Sequence, residues 1–212
     1  TIGTTTLPPC IANFDIFLAK YSTSGGFLWA VGGGGNTNDN CTGIAVDASG
    51  NVYLNCFIRG TVHFSNNMFF SNTLDDNCVY VKYSSSGSFI WGFKESFSEI
   101  STSTGISVDA NSNCYTLCTN GIKKHDTFGG LVWEKQFFTD NTIIARGLRT
   151  DIFGNNYICG YFKGTVNFPP YSISNTNADL DIFVAKYDTD GNIEWVISAG
   201  SSGEDRAFDI TS

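Results

Sequence analysis

The chain has 212 residues, 42% hydrophobic and 15% aromatic but only 15% charged, against about 25% charged in an average globular protein. That is one large domain or two small ones with enough apolar material for a core, and it excludes intrinsic disorder. Twelve Lys and Arg against 20 Asp and Glu leave a net charge of −8, a field that repels phosphate backbones and anionic membrane surfaces, so nucleic acid is not an expected partner.

Thr1 is not followed by a basic, then apolar, then small-residue leader, so the start reads as a processed or truncated N-terminus. From there on, strand-length runs recur and no sustained 3.6-residue apolar period does. Strands are expected at 15–21, 27–31, 43–47, 51–57, 78–83, 88–93, 105–109, 113–118, 131–137, 146–150, 156–162, 181–187 and 192–198, with less than a few per cent helix. No run approaches the ~18 apolar residues of a spanning helix, so membrane insertion is not expected. Aromatic and β-branched runs such as 16–21 and 182–187, bounded by Asp, Ser and Gly, suit the pleated surface of a sheet.

These strands form a repeat. Trp29, Trp91, Trp133 and Trp195 stand 62, 42 and 62 residues apart, each four residues after a glycine (Gly25, Gly87, Gly129, Gly191). Five residues before each glycine is a lysine: Lys20, Lys82, Lys124 and Lys186. A second block ends on Asp47, Asp109 and Asp151, each followed by a turn and then by Asn51-Val-Tyr53, Asn113-Cys-Tyr115 or Asn155-Asn-Tyr157. Each repeat therefore supplies four short antiparallel strands. One such sheet cannot bury both faces alone, so successive sheets must stack, and the radial solution is a β-propeller.

These motifs resemble the SBBP-type β-propeller repeat, with its Asp-Ile-Phe-Val-Ala-Lys-Tyr, Gly-x-x-x-Trp, Ile-Ala-Val-Asp-x-x-Gly-Asn-Val-Tyr and Gly-Thr-Val-x-Phe segments. Here they fall at 15–21, 25–29, 44–53 and 60–64, and again at 164–168 and 181–195. The resemblance implies an all-β propeller of four-stranded blades over residues 1–212, but no particular reaction. The Trp133 repeat lacks the excursion that others carry at 59–77 and 163–180, so its blade should have a short rim. Its strand 122–126, Ile-Lys-Lys-His-Asp, is a poor interior sequence and is expected to be exposed. Thr1 aligns with His63, and residues 210–212 align with 44–46, so the chain is opened within a repeat at both ends. Four blades sealed by a noncovalent seam, a piece of a larger ring, and a ring completed by a second chain are the alternatives; the covered residues are not expected to close a ring by themselves.

The candidate sites each have a structural reading and a functional one. Asp188, Asp190 and Asn192 place oxygens at alternate positions, as calcium loops do, but the glycine comes fourth rather than sixth and no Glu follows at twelve, which favours a hairpin turn. The 191–195 stretch departs from the sialidase Asp-box, where glycine precedes the aromatic by three. Lys20, Lys82, Lys124 and Lys186 could ring an anionic ligand; the simpler reading pairs each with the acid of its own blade, Asp47, Asp109 or Asp151. The tryptophans read as packing between blades, with sugar-stacking platforms as the alternative. His63 and His125 lie in different repeats without a nucleophile motif, and the glycines at 32–35 lead into Asn-Thr-Asn-Asp rather than a phosphate-binding helix. No cofactor is expected.

Seven cysteines (Cys10, Cys41, Cys56, Cys78, Cys114, Cys118, Cys159) are an odd number. Cys114 and Cys118 share a strand face about 13 Å apart, too far for a bridge. Buried thiols, a disulfide framework and a metal site are the readings, and the first, which suits a reducing compartment, is preferred. Two function classes remain. One is a noncatalytic, surface-exposed or virion structural module that contacts protein or glycan through polar excursions at 65–77 and 171–179. The other is a propeller enzyme acting on glycans.

Overall fold

The computed structural model describes residues 3–7, 15–35, 37–58, 60–65, 68–70, 77–95, 103–175 and 179–211. They divide into two compact units, Thr1–Ile100 and Ser101–Ser212. Every strand pair is antiparallel, and the described residues contain no helix.

The first unit holds β1 (Ile16–Tyr21), β2 (Phe27–Gly35), β3 (Asn40–Val46), β4 (Val52–Ile58), β5 (Val62–Phe64), β6 (Met68–Phe70), β7 (Asn77–Tyr83) and β8 (Phe89–Glu95). They form two sheets, β1-β2-β5-β6 and β3-β4-β7-β8. The second unit holds β9 (Ser103–Val108), β10 (Cys114–Cys118), β11 (Gly121–His125), β12 (Leu131–Gln136), β13 (Phe138–Thr139), β14 (Thr142–Thr150), β15 (Asn156–Lys163), β16 (Thr165–Phe168), β17 (Tyr171–Ser174), β18 (Asp181–Tyr187) and β19 (Ile193–Ala199). Its sheets are β9-β10-β11-β12, β14-β15-β18-β19 and the small β13-β16-β17. Three sheets thus share one plan: the strand entering the Asp turn, the Asn-x-Tyr strand, the Lys strand and the Trp strand, side by side. This is the plan of a propeller blade, and β1 and β2 are the last two strands of it.

Packing follows from the strand period of two. On β1, Ile16 and Leu18 are buried and, with Trp29 and Val31 of β2, face Val52, Leu54, Val79, Val81 and Tyr83 of the following sheet. The second unit repeats this, with Tyr115, Leu117, Ile122 and Trp133 in one core with Ile158, Phe183, Ala185 and Tyr187. Sheet on sheet is therefore the source of burial, as the repeat requires.

Three expectations are corrected. The excursions carry strands where loops were expected. The β5–β6 hairpin adds to the end of β2, with Gly33 opposite Phe64 and Gly35 opposite Val62, and the β16–β17 hairpin adds to β13, so each ties its repeat to the strand of the repeat before it. Residues 66–67, 71–76 and 176–178 lie outside the described residues. This pairing also accounts for the glycine run: a Cβ on Gly33 would meet the Phe64 ring at 2.7 Å, and one on Gly35 would strike the Thr61 carbonyl. The second correction is strand 122–126, which is interior: β11 lies between β10 and β12, and Ile122 and His125 are buried. Its lysines fit because their stems lie on the sheet while the ammonium groups reach polar partners, Lys123 to Glu134 at 3.7 Å and Lys124 to a neighbouring turn.

The third concerns the thiols. Cys41 and Cys56, opposite each other on β3 and β4, are joined by a disulfide. Their register supplies the proximity, which sequence spacing alone does not reveal. Cys78, Cys114, Cys118 and Cys159 are buried thiols, and burial, offset in part by a Gly147 backbone bond, pushes the Cys159 thiol up. Cys10 lies outside the described residues. The short rim of the Trp133 repeat is a tight β10–β11 hairpin closing Cys118 on Gly121.

Candidate functional site

The repeated residues come together in one row across each sheet. Asp109 ends its strand and accepts from the backbone N–H of Asn111 and Asn113 at 2.9 Å, from Asn113 Nδ2 at 2.8 Å and from the Tyr115 hydroxyl at 3.1 Å. Asp47 does the same with Ser49, Asn51 and Tyr53, and Asp151 with Phe153, Asn155 and Tyr157. An Asx-type turn needs an Asp able to take several N–H groups at once, which is why the residue recurs. Burial pushes the Asp151 carboxyl up, but the bonds from Asn155, Phe153 and Tyr157 outweigh it and hold the group below its ordinary value.

The tyrosine is the next member of the row. Register places Tyr115 opposite Lys124 and Lys124 opposite Trp133, and likewise Tyr157, Lys186 and Trp195, and Tyr53, Lys82 and Trp91. The lysine ammonium lies over the tyrosine ring, 4.7 Å from the centroid for Lys82, 5.4 Å for Lys124 and 5.6 Å for Lys186. The tryptophan closes on the same tyrosine, with centroids 5.8 Å, 6.0 Å and 6.3 Å apart for Trp91, Trp133 and Trp195. All four tryptophans are partly buried.

The row ends on the following sheet. Lys20 Nζ and Trp29 Nε1 both donate to the Ser85 carbonyl at 3.0 Å. Lys124 Nζ and Trp133 Nε1 both donate to the Thr189 carbonyl, at 2.9 Å and 3.1 Å. The sequence separations, 65 and 56, are the same in both units. The receiving turns carry Gly87 (φ 85°) and Gly191 (φ 78°), and a Cβ there would meet the Trp29 ring at 2.8 Å or the Trp133 ring at 2.9 Å. Only glycine supplies both the left-handed conformation and the room for an indole.

For Lys20, Lys124 and Lys186 the partners found are other than the aspartate of the same blade. The tyrosine intervenes, the aspartate serves its own turn and Tyr hydroxyl, and Lys20 and Lys124 serve the neighbour. Lys186 pairs with Glu194 at 2.7 Å, and that bond raises its pKa. Asp188 accepts from the backbone of Asp190 and Asn192 at 2.9 Å and 2.8 Å and from Asn192 Nδ2 at 2.9 Å. This is a hairpin turn, with burial raising the Asp188 carboxyl and the Asn192 and Asp190 bonds lowering it further than that. Among the described residues no group of three or more His, Cys, Asp and Glu side chains could hold a metal ion.

Sequence reasoning missed the turn carbonyls of Ser85 and Thr189 because main-chain acceptors leave no mark on residue identity. The recurring glycine four residues before each tryptophan was their one signal. It also missed an apolar set on the turns. Phe128 is 85% exposed, Ile152 80% and Phe153 75%, where the corresponding turns of the other repeats carry Ser24, Ser86 and Asp190, or Ala48-Ser49 and Ala110-Asn111. Turns joining the first strand to the second and the third to the fourth lie at the same end of such a sheet, so in each repeat of the second unit these side chains occupy the Asp-turn end.

No protein-family profile matches the chain. It is similar to an uncharacterized WD repeat-containing protein of Acanthamoeba polyphaga mimivirus, 25% identical over 196 residues, or 89% of this chain and 12% of that protein. The chain thus spans about an eighth of that relative's length. A solved structure of a protein of unknown function from Bacteroides caccae overlaps 88% of this chain and 94% of its own at a TM-score of 0.34 and 6% identity. The relative agrees with a repeat protein of propeller kind, without distinguishing the SBBP type.

Proposed function

We propose that the chain is a noncatalytic repeat scaffold that binds protein through the turn ends of its sheets. The observation that carries this reading is the exchange of polar for large apolar side chains at Phe128, Ile152 and Phe153, all at least three-quarters exposed. Turn tips have no packing use for such residues, and loops held on a rigid scaffold are where contact residues are carried. The repeated Asp, Tyr, Lys and Trp residues are occupied in joining strands and sheets, which supports a scaffold over a glycan site or an enzyme. The mimivirus relative, named for WD repeats, supports the same class.

Photocrosslinking from position 153, run beside a glycan array and a glycoside hydrolysis panel, tests the proposal. Crosslinks to protein that disappear in a Phe128→Ser, Phe153→Ser variant are expected. Glycan binding or turnover that survives in that variant, with no protein crosslink in the parent chain, would replace this reading with the glycan-active one.

A further inference from the structure

The turn end of the sheet β14-β15-β18-β19 sets two different chemistries side by side. One of its turns, 151–155, carries Ile152 and Phe153, 80% and 75% exposed. The other, 188–192, carries Asp190, which is exposed as well. The two turns touch: a Cβ on Gly154 would lie 2.8 Å from Cγ2 of Thr189, the residue before Asp190.

Asp190 has no structural task. The turn is held by Asp188, which accepts from the backbone N–H of Asp190 and Asn192 and from Asn192 Nδ2. Among the described residues the Asp190 carboxylate makes no hydrogen bond or ion pair, even with Lys135, whose stem crosses Gly191. The first two repeats hold the same turn with Ser24 and Ser86, so the fold does not require an acid there. The turns 109–113, 126–130, 151–155 and 188–192 share this end of the second unit's sheets and contain Asp109, Asp126, Asp151, Asp188 and Asp190 but no Lys or Arg. Of the cations that approach from the strands, Lys124 donates to the Thr189 carbonyl, while Lys186 and Arg149 are paired with Glu194 and Asp209. The carboxylates outnumber what remains, so the field at these turns favours an approaching cation and opposes an anion.

We propose that the protein partner of this turn end is a segment in which lysine or arginine stands next to a large apolar residue. The apolar side chain covers Ile152 and Phe153, and the cation reaches Asp190. This assignment rests on the reading that these turns bind protein, and it names the partner's chemistry. The apolar pair provides contact area, whereas the carboxylate selects the sign of the partner's charge: a cation pairs with it, a neutral residue leaves it unpaired, and an acid is repelled.

Fluorescence anisotropy with three labelled peptides tests this on the 212-residue chain. One peptide alternates leucine with lysine, and its counterparts carry serine or glutamate in place of lysine. On the parent chain the lysine peptide is expected to bind about threefold to fivefold more tightly than the serine peptide, the upper range of an exposed ion pair, and the glutamate peptide to bind most weakly. Asp190→Ser should remove the preference for lysine and leave the serine peptide unaffected, whereas Phe153→Ser should weaken the lysine and serine peptides alike, by about tenfold. Each variant installs a residue that another repeat carries at the same place, Ser86 or Ser49, so the fold is kept, as circular dichroism checks. The preference should also vanish in about 1 M salt, where charges are screened within about 3 Å. Binding that ignores peptide charge but falls in Phe153→Ser would overturn this inference and leave the protein-binding reading standing. Binding of the lysine peptide that survives Phe153→Ser would trace the attraction to the net charge of −8 and overturn it as well. So would the absence of binding by any of the peptides, with the crosslink from position 153 deciding the broader reading separately.

Discussion

Trp133 and Trp195 occupy the same repeat position and pack on the same kind of tyrosine, but among the described residues Trp133 also reaches the turn of a following sheet. Replacing Trp133 by Ala removes the ring contact with Tyr115, the cover over Gly191 and the hydrogen bond to the Thr189 carbonyl. A large aromatic buries roughly 150–250 Å². Trp133 is partly exposed, so the lower figure applies, and at about 25 cal/mol per Å² it amounts to about 4 kcal/mol. The hydrogen bond adds about 1 kcal/mol. Among the described residues Trp195 packs on Tyr157 of its own sheet, so in this chain Trp195→Ala should cost about 2 kcal/mol, the range of a one-sided apolar truncation. Trp133→Phe keeps a ring over Gly191 but loses the donor, and should fall at about 1–2 kcal/mol. Urea unfolding followed by circular dichroism, at concentrations where the chain is monomeric, measures all three. Equal losses for the two alanine variants, or a larger loss at Trp195, would refute the claim that the following sheet is what the tryptophan holds.

Other outcomes follow from the same geometry. Gly25 and Gly191 share a left-handed φ of 81° and 78°, so alanine at either pays about 1 kcal/mol of backbone strain, but only Gly191→Ala also pushes a Cβ into the Trp133 ring and should melt markedly lower than Gly25→Ala. The Asp151 and Asp188 carboxyls are depressed in the fold. The unfolded chain therefore binds more protons, and the stability these groups contribute is full above the ordinary carboxylate range and lost as pH falls through their folded values. Asp151→Asn should be less stable at neutral pH and lose less than the parent as pH falls below the ordinary carboxylate range, as urea midpoints will show. Burial alone pushes Tyr83 up to about 12, so an ultraviolet titration should find tyrosine ionisation well above the usual range, and a Tyr83→Phe variant should lose part of that late amplitude.

Much of the fold was legible because its signals are local. Strand runs, the Asp and Ser turns and the spacing of the four tryptophans each follow from residue type, and the thirteen expected strands all have counterparts. The rest depends on what lies opposite. The strands of the β5–β6 and β16–β17 hairpins are only three or four residues long, so they read as loops, and only their pairing with β2 and β13 makes them strands. β11 was misjudged because Lys124 reads as a solvated charge, whereas the Tyr115 ring and the Thr189 carbonyl satisfy it inside the sheet stack. The same holds for the row of repeated residues. Its members were visible at once, but the tyrosine between aspartate and lysine appears only when the strands are set in register. The apolar turns were missed for the opposite reason: hydrophobic residues signal interior, and Phe128 and Phe153 violate that rule.

The central claim is that the repeated lysine and tryptophan grip the next sheet's turn rather than a ligand, and a double-mutant cycle on Lys124→Met and Trp133→Phe tests it most directly. Both donors serve one carbonyl, so either alone keeps that acceptor satisfied, whereas losing both leaves it without a donor, at roughly 1–3 kcal/mol if water cannot reach it. The account predicts that the double variant loses more stability than the two single losses together, by about 1 kcal/mol or more, within the range of coupled neighbours. Additive losses would contradict it.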